Sequence, residues 1–138
     1  MNDAETPAAE NEVARASAVK TVTISVTNSS PITLTLAGAV LAAGYWQQPP
    51  PNVGSVLLPG APQLIAVNAA DSVFSSVAGT LTFAPADGGS LTMSWIWPNN
   101  QGLQAVGSAN STSLTMHYST YSDMSNDGNV QFVVLPLS

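Results

Sequence analysis

The chain has no cysteine, one histidine and, from Thr21 to its end, neither lysine nor arginine. Without thiols there is no disulfide framework and no thiolate nucleophile, so the stability of 138 residues has to come from packing. A domain without cations cannot neutralise phosphates, which excludes nucleic acid as a partner and removes Coulomb attraction to anionic lipid. It also leaves trypsin no cleavage point after Lys20. Long hydrophobic runs are missing too: LTLAGAVLAAGYW falls short of the roughly 18 apolar residues of a spanning helix. The first twenty residues hold four acids, two bases and no apolar run, so they read as a disordered tail, 1–20, ahead of one domain, 21–138.

Catalytic equipment is equally sparse. His117 alternates with Leu114, Met116 and Tyr118 and falls on the polar side of its strand beside Thr115, and no serine lies in a G-x-S-x-G elbow. Asp71, Asp87, Asp123 and Asp127 all fall in or beside turns, where capping explains them. DMSNDG, residues 123–128, spaces its ligands like the first half of a calcium loop, yet Val134 stands where the closing glutamate belongs. The expectation is a protein without catalytic residues, bound metal or cofactor. Asn28 and Asn110 open N-x-S/T sequons that mean little without a signal peptide.

What the chain does have is alternation. In TVTISVTN, Val22, Ile24 and Val26 point one way and Thr21, Thr23 and Ser25 the other, the period of a half-buried strand. Seven further segments follow: 32–36, 55–58, 63–68, 79–83, 90–97, 113–120 and 130–135. PGAP, ADGG and SNDGN punctuate them, and ADGG between Phe83 and Ser90 predicts a hairpin. The pattern is that of an all-β, single-domain antiparallel β-sandwich. The segment 36–44, LAGAVLAAG, has a helical alternative because its alanines tolerate a turn or two.

The aromatic residues are the candidate site. Tyr45 and Trp46 stand at the start of a loop stiffened by Pro49, Pro50 and Pro51. Met93, Trp95 and Trp97 share one face of a strand ending at Pro98, which predicts two indoles near a rim of the sheet, followed by Asn99, Asn100 and Gln101. Tyr118 and Tyr121 close another strand. Rings with an apolar body and a polar tip suit a core edge, a sugar platform or a membrane interface.

At these residues the chain resembles the aegerolysins, in particular the bacterial branch that includes small insecticidal crystal proteins. The resemblance rests on the order and spacing of Gly44 to Trp46, Pro49 to Val53, the hairpin from Gly79 to Phe83 with ADGG, and Trp95 to Asn99, within residues 20–137. Two departures stand out: Ile96 and Trp97 replace the family's acidic residue and asparagine before the proline, and Ser76 replaces the first glycine of the hairpin motif.

The resemblance implies a sandwich that binds membrane lipid and acts as a pore-forming toxin or toxin component, commonly with a larger partner protein that supplies the perforating segment. Its expected target is a neutral or zwitterionic sphingolipid-type head group in a sterol-containing bilayer, contacted by Trp46, Trp95 and Trp97, with Tyr45, Tyr118 and Tyr121 orienting the head group. Asn99 completes the set. A homo-oligomer is a further expected partner. The expected localisation is cytoplasmic accumulation, later release and action at a target-cell membrane. Two other readings remain open at this stage, a carbohydrate-binding module with Asn99, Asn100 and Gln101 beside the aromatic platform, and a self-assembling structural protein.

Overall fold

The computed structural model describes residues 19–122 and 126–137. The expected tail therefore lies outside the described residues, apart from Val19 and Lys20, and so does the first half of the calcium-like string, 123–125. Ten strands form: β1 (Lys20–Asn28), β2 (Leu34–Ala43), β3 (Tyr45–Trp46), β4 (Val56–Leu57), β5 (Leu64–Ala70), β6 (Val77–Pro85), β7 (Ser90–Trp97), β8 (Gln104–Asn110), β9 (Leu114–Ser122) and β10 (Asp127–Pro136). They make two five-stranded sheets, in the orders β3-β5-β1-β10-β9 and β4-β2-β6-β7-β8. The molecule is thus the expected sandwich. All pairings are antiparallel except β1 with β10, which run parallel from Thr21↔Asp127 to Asn28↔Val134.

The alternation read from the sequence is what fills the space between the sheets. Val22, Ile24 and Val26 on β1 and Phe132 on β10 face Leu81, Phe83 and Met93 on β6 and β7, all fully buried. Segment 36–44 is strand and not helix. It is held by β6 with bulges between Leu36 and Gly38 and between Leu41 and Ala43. The first bulge puts the inward residues at Leu34, Leu36, Ala39 and Leu41, and the three-residue step mimics helical spacing. ADGG forms the predicted β6–β7 hairpin, with Gly88 and Gly89 at positive φ. At that end of the sandwich the Asn28 amide donates to the carbonyls of Ile32 (2.8 Å) and Leu57 (3.0 Å), so this sequon asparagine is a buried joint between the sheets.

Gly79 on β6 makes room for the side chains of its cross-strand partners Leu41 and Trp95. A Cβ there would lie 2.6 Å from the Trp95 ring and 2.7 Å from Leu41 Cδ2. Gly79→Ala is therefore an overpacking change, expected to cost about 1–3 kcal/mol. Urea unfolding checks this: a lower midpoint with an unchanged slope is the expected result, and an unchanged midpoint would refute the close fit.

Candidate functional site

One end of the sandwich holds a polar cleft flanked by aromatic residues. It is built from the start of β1, the β5–β6 connection (71–76), the β7–β8 connection (98–103) and the start of β10. Between them lies a cleft of about 450 Å³ lined by Lys20, Phe74, Trp97, Asn99, Asn100 and Asn126, among others. Asn100 and Asn126 both sit at positive φ (66° and 68°), which asparagine tolerates better than most side chains and which shapes the tight turns on either side.

Lys20 is the foot of this cleft. It belongs to β1, not to a tail, and is only 2% exposed. Its ammonium donates to the carbonyl oxygens of Ser75 (2.9 Å) and Pro98 (3.4 Å) and lies 5.0 Å from the centre of the Trp97 ring. Both hydrogen-bond partners are neutral, so two carbonyl dipoles and a ring face hold a full positive charge. Burial pushes its pKa below the usual 10.5. Above it Phe74, 73% exposed, projects from the connection after β5. Lys20 and Phe74 were not singled out from the sequence. A lone Phe in the polar stretch DSVFSS was the available signal.

Tyr45 joins the same end, because β5 pairs with β3 on one side and β1 on the other, Tyr45 opposite Ala69 and Lys20 opposite Ala70. Its hydroxyl donates to Asp71 at 2.7 Å. Burial, then the hydrogen bond and charge of Asp71, push its pKa up to about 12. Gly44 just before it has φ +84°, and a Cβ there would meet the Ala69 carbonyl oxygen at 2.6 Å.

The indoles differ from expectation. Trp95 (2% exposed) and Trp97 (7%) do share a face, but it is the inner one. Neither ring reaches solvent as a rim residue, because an apolar alternation ending in tryptophan marks the core side of β7 as readily as a binding edge. Trp46 is half-buried and packs on Trp95, ring centres 6.0 Å apart. Asn68 ties this group together. Fully buried, it accepts the Trp95 indole N–H (2.9 Å) and donates to the Ala43 (3.1 Å) and Tyr45 (3.4 Å) carbonyls.

Tyr118 and Tyr121 are not neighbours in function. Three residues apart on a strand, they point to opposite faces. Tyr118 leans inward on Phe132 and Gly107, whereas Tyr121, 64% exposed, stands on the outer face of its sheet. The proline loop links β3 at the edge of one sheet to β4 at the edge of the other, and so runs along the side of the sandwich. Asn99 is exposed and lines the cleft. Among the described residues no group of three potential metal ligands occurs, and no helix is long and apolar enough to cross a membrane.

Two sheets enclosing an apolar core, with a polar, aromatic-flanked cleft at one end, define a β-sandwich of the kind that carries ligand sites on its loops. No family model matches the chain and no curated protein matches it in sequence. Solved structures do. The lipid binding protein Nakanori superposes with a TM-score of 0.71 at 13% identity, over 93% of this chain and 77% of that one. RahU protein, solved in complex with a TRIS molecule, gives 0.67 at 15% identity over 87% and 97%, and IP-1A from Alcaligenes faecalis 0.67 at 14% over 94% and 98%. At these identities the likeness is one of fold, and the fold agrees with the aegerolysin-like sandwich expected from the sequence.

Proposed function

We propose that the protein binds membrane lipid by its head group, in the cleft that Lys20 floors. The observation that carries this is the nearly buried Lys20 ammonium, held by two carbonyls and the Trp97 ring at the foot of a polar cleft, beneath the exposed Phe74. An anionic oxygen entering the cleft meets a cation already stripped of most of its water, which strengthens the contact, while Asn99, Asn100 and Asn126 offer neutral hydrogen bonds to the rest of the head group. Phe74 and Tyr45 enter the interfacial layer beside it. One embedded cation in an acidic protein suits a zwitterionic head group, where a single phosphate is matched and surface charge contributes little. Nakanori is described as a lipid binding protein, which supports the same reading.

The finer reading is a sphingolipid-type head group in a sterol-containing bilayer, with the protein serving as the docking component of a pore-forming toxin whose larger partner supplies the perforating segment. Co-sedimentation with neutral vesicles, with and without sphingomyelin and sterol, tests it. Binding is expected to depend on the phosphate-bearing sphingolipid and to fall at least about tenfold in Phe74→Ser. Binding only to glycan-coated vesicles or polysaccharide would overturn the lipid reading in favour of a sugar site.

The same assay has a pH signature. Because the folded Lys20 gives up its proton below 10.5, head-group affinity falls as alkaline pH rises through that folded value. Fold stability moves the other way: the unfolded chain binds the extra proton in that window, so the Lys20 contribution improves as pH climbs to 10.5. Tyr45 opposes it, its contribution being present below 10.0 and lost as pH rises toward about 12. Affinity that stayed level to pH 10.5 would take the cation out of the site.

A further inference from the structure

Among the described residues, the outer face of the second sheet is a broad surface that bears no ionisable side chain. Its cross-strand rows run Val40–Thr80–Ser94–Val106, Gly38–Thr82–Thr92–Ser108 and Ala78–Ile96–Gln104. Val40, Ile96 and Val106 are exposed there, and the Thr80 and Ser94 hydroxyls already bond each other at 3.1 Å. A shallow groove of about 220 Å³ lies among Ala42, Ala78, Thr80, Ile96 and Val106. The outer face of the first sheet is different: it bears Asp127, His117 and Tyr121 with Asn129 and Gln131.

We infer that this face is where a second copy of the chain docks, face to face about a two-fold axis. Three observations select a like partner. Two chains with a formal charge of −6 each repel wherever carboxylates meet, and here they can approach with none between them. The row of two valines flanking Thr80 and Ser94 is large at its ends and small in its middle, so when the strands of two copies cross, the valines of one rest over the small residues of the other. The surface interleaves the exposed Val40, Ile96 and Val106 with the hydroxyls of Thr82, Thr92 and Ser108, and because a hydroxyl both donates and accepts, each can pair with its own counterpart across a two-fold axis.

The area sets the strength. Four strands about 4.8 Å apart, each of about eight residues rising about 3.4 Å, present roughly 500 Å² per copy, so the pair covers about 1,000 Å². That is the lower limit for a specific interface, and the association is accordingly weak and concentration-dependent. This end-independent face leaves the Lys20 cleft open in both copies, so the inference does not depend on the lipid reading.

Sedimentation equilibrium across a hundredfold range of concentration reads it directly. The expected result is a shift from monomer to dimer mass. Val40→Lys combined with Val106→Lys should move the midpoint at least about tenfold higher, whereas Ile65→Lys, on the outer face of the other sheet, should leave it in place. A second arm does not rely on charged variants folding. The chain has no cysteine, so Ser94→Cys provides a single thiol near the two-fold and should cross-link to itself under mild oxidation much faster than Ile65→Cys. A monomer at every concentration, equal cross-linking by the two thiols, or a dimer sensitive to Ile65→Lys and indifferent to the valine pair would overturn the assignment. Loss of vesicle binding in the valine variant of a strictly monomeric protein would give the face to lipid instead.

Discussion

Lys20→Met is expected to reduce vesicle binding by roughly tenfold to a hundredfold without lowering the stability of the fold. The binding loss corresponds to one charge-assisted hydrogen bond, about 1.5–3 kcal/mol. The stability expectation runs against the usual effect of altering a buried residue. Methionine keeps the length of the lysine stem and gives up the cation–ring contact with Trp97 while removing a charge whose burial is unfavourable, and replacing buried charge by apolar volume is often neutral or stabilising. The Ser75 and Pro98 carbonyls lose a donor, which offsets part of the gain. Co-sedimentation and urea unfolding of the same variant separate the two effects. Undiminished binding would remove Lys20 from the site, and a large fall in the unfolding midpoint would make it a structural joint.

The second large effect is structural with a functional shadow. Asn68→Ala strands the Trp95 indole N–H in the core and frees the Ala43 and Tyr45 carbonyls. An unsatisfied buried group costs about 1–3 kcal/mol, and with the small cavity the total should be roughly 2–4 kcal/mol, a fall in Tm on the order of 10 °C. Asn68→Asp should be worse: its carboxylate can still accept from the indole but faces two carbonyl oxygens with no donor to offer. Because Asn68 also positions β3, the destabilised variant should bind vesicles less well even at temperatures where it is fully folded. A Tm within about 2 °C of the parent would show that this network contributes little.

Much of the architecture was legible because the strands that enclose the core alternate faithfully: 21–28, 90–97 and 130–135 read correctly from Thr/Val and Trp/Met periodicity. Where a bulge resets the phase, as in β2, the pattern passes for a helix. β8 escaped notice because its inward residues are Ala105, Gly107 and Ala109, too small to register as apolar; at Gly107 a side chain would collide with Met116 and Tyr118. The site was half legible. Tyr45, bonded to Asp71, and Asn99, in the lining of the cleft, lie at the end proposed for the ligand. Trp95 and Trp97 are core residues, since periodicity identifies a shared face without saying which face is wet. Lys20 was missed through its position: one cation beside a charged leader reads as the last residue of a tail, and only its pairing with Ala70 shows it inside the sheet.

The parallel union of β1 and β10 has a consequence for how the molecule comes into being. Thr21 and Asp127, 106 positions apart, share one hydrogen-bonded rung in the middle of the first sheet. During synthesis β1 has no partner on that side until β10 has been made, and long-range closures of this kind make folding slow. Loss of β10 would remove the strand that joins β9 to β1, so a chain lacking Asp127–Pro136 should be as thoroughly unfolded as one lacking several strands.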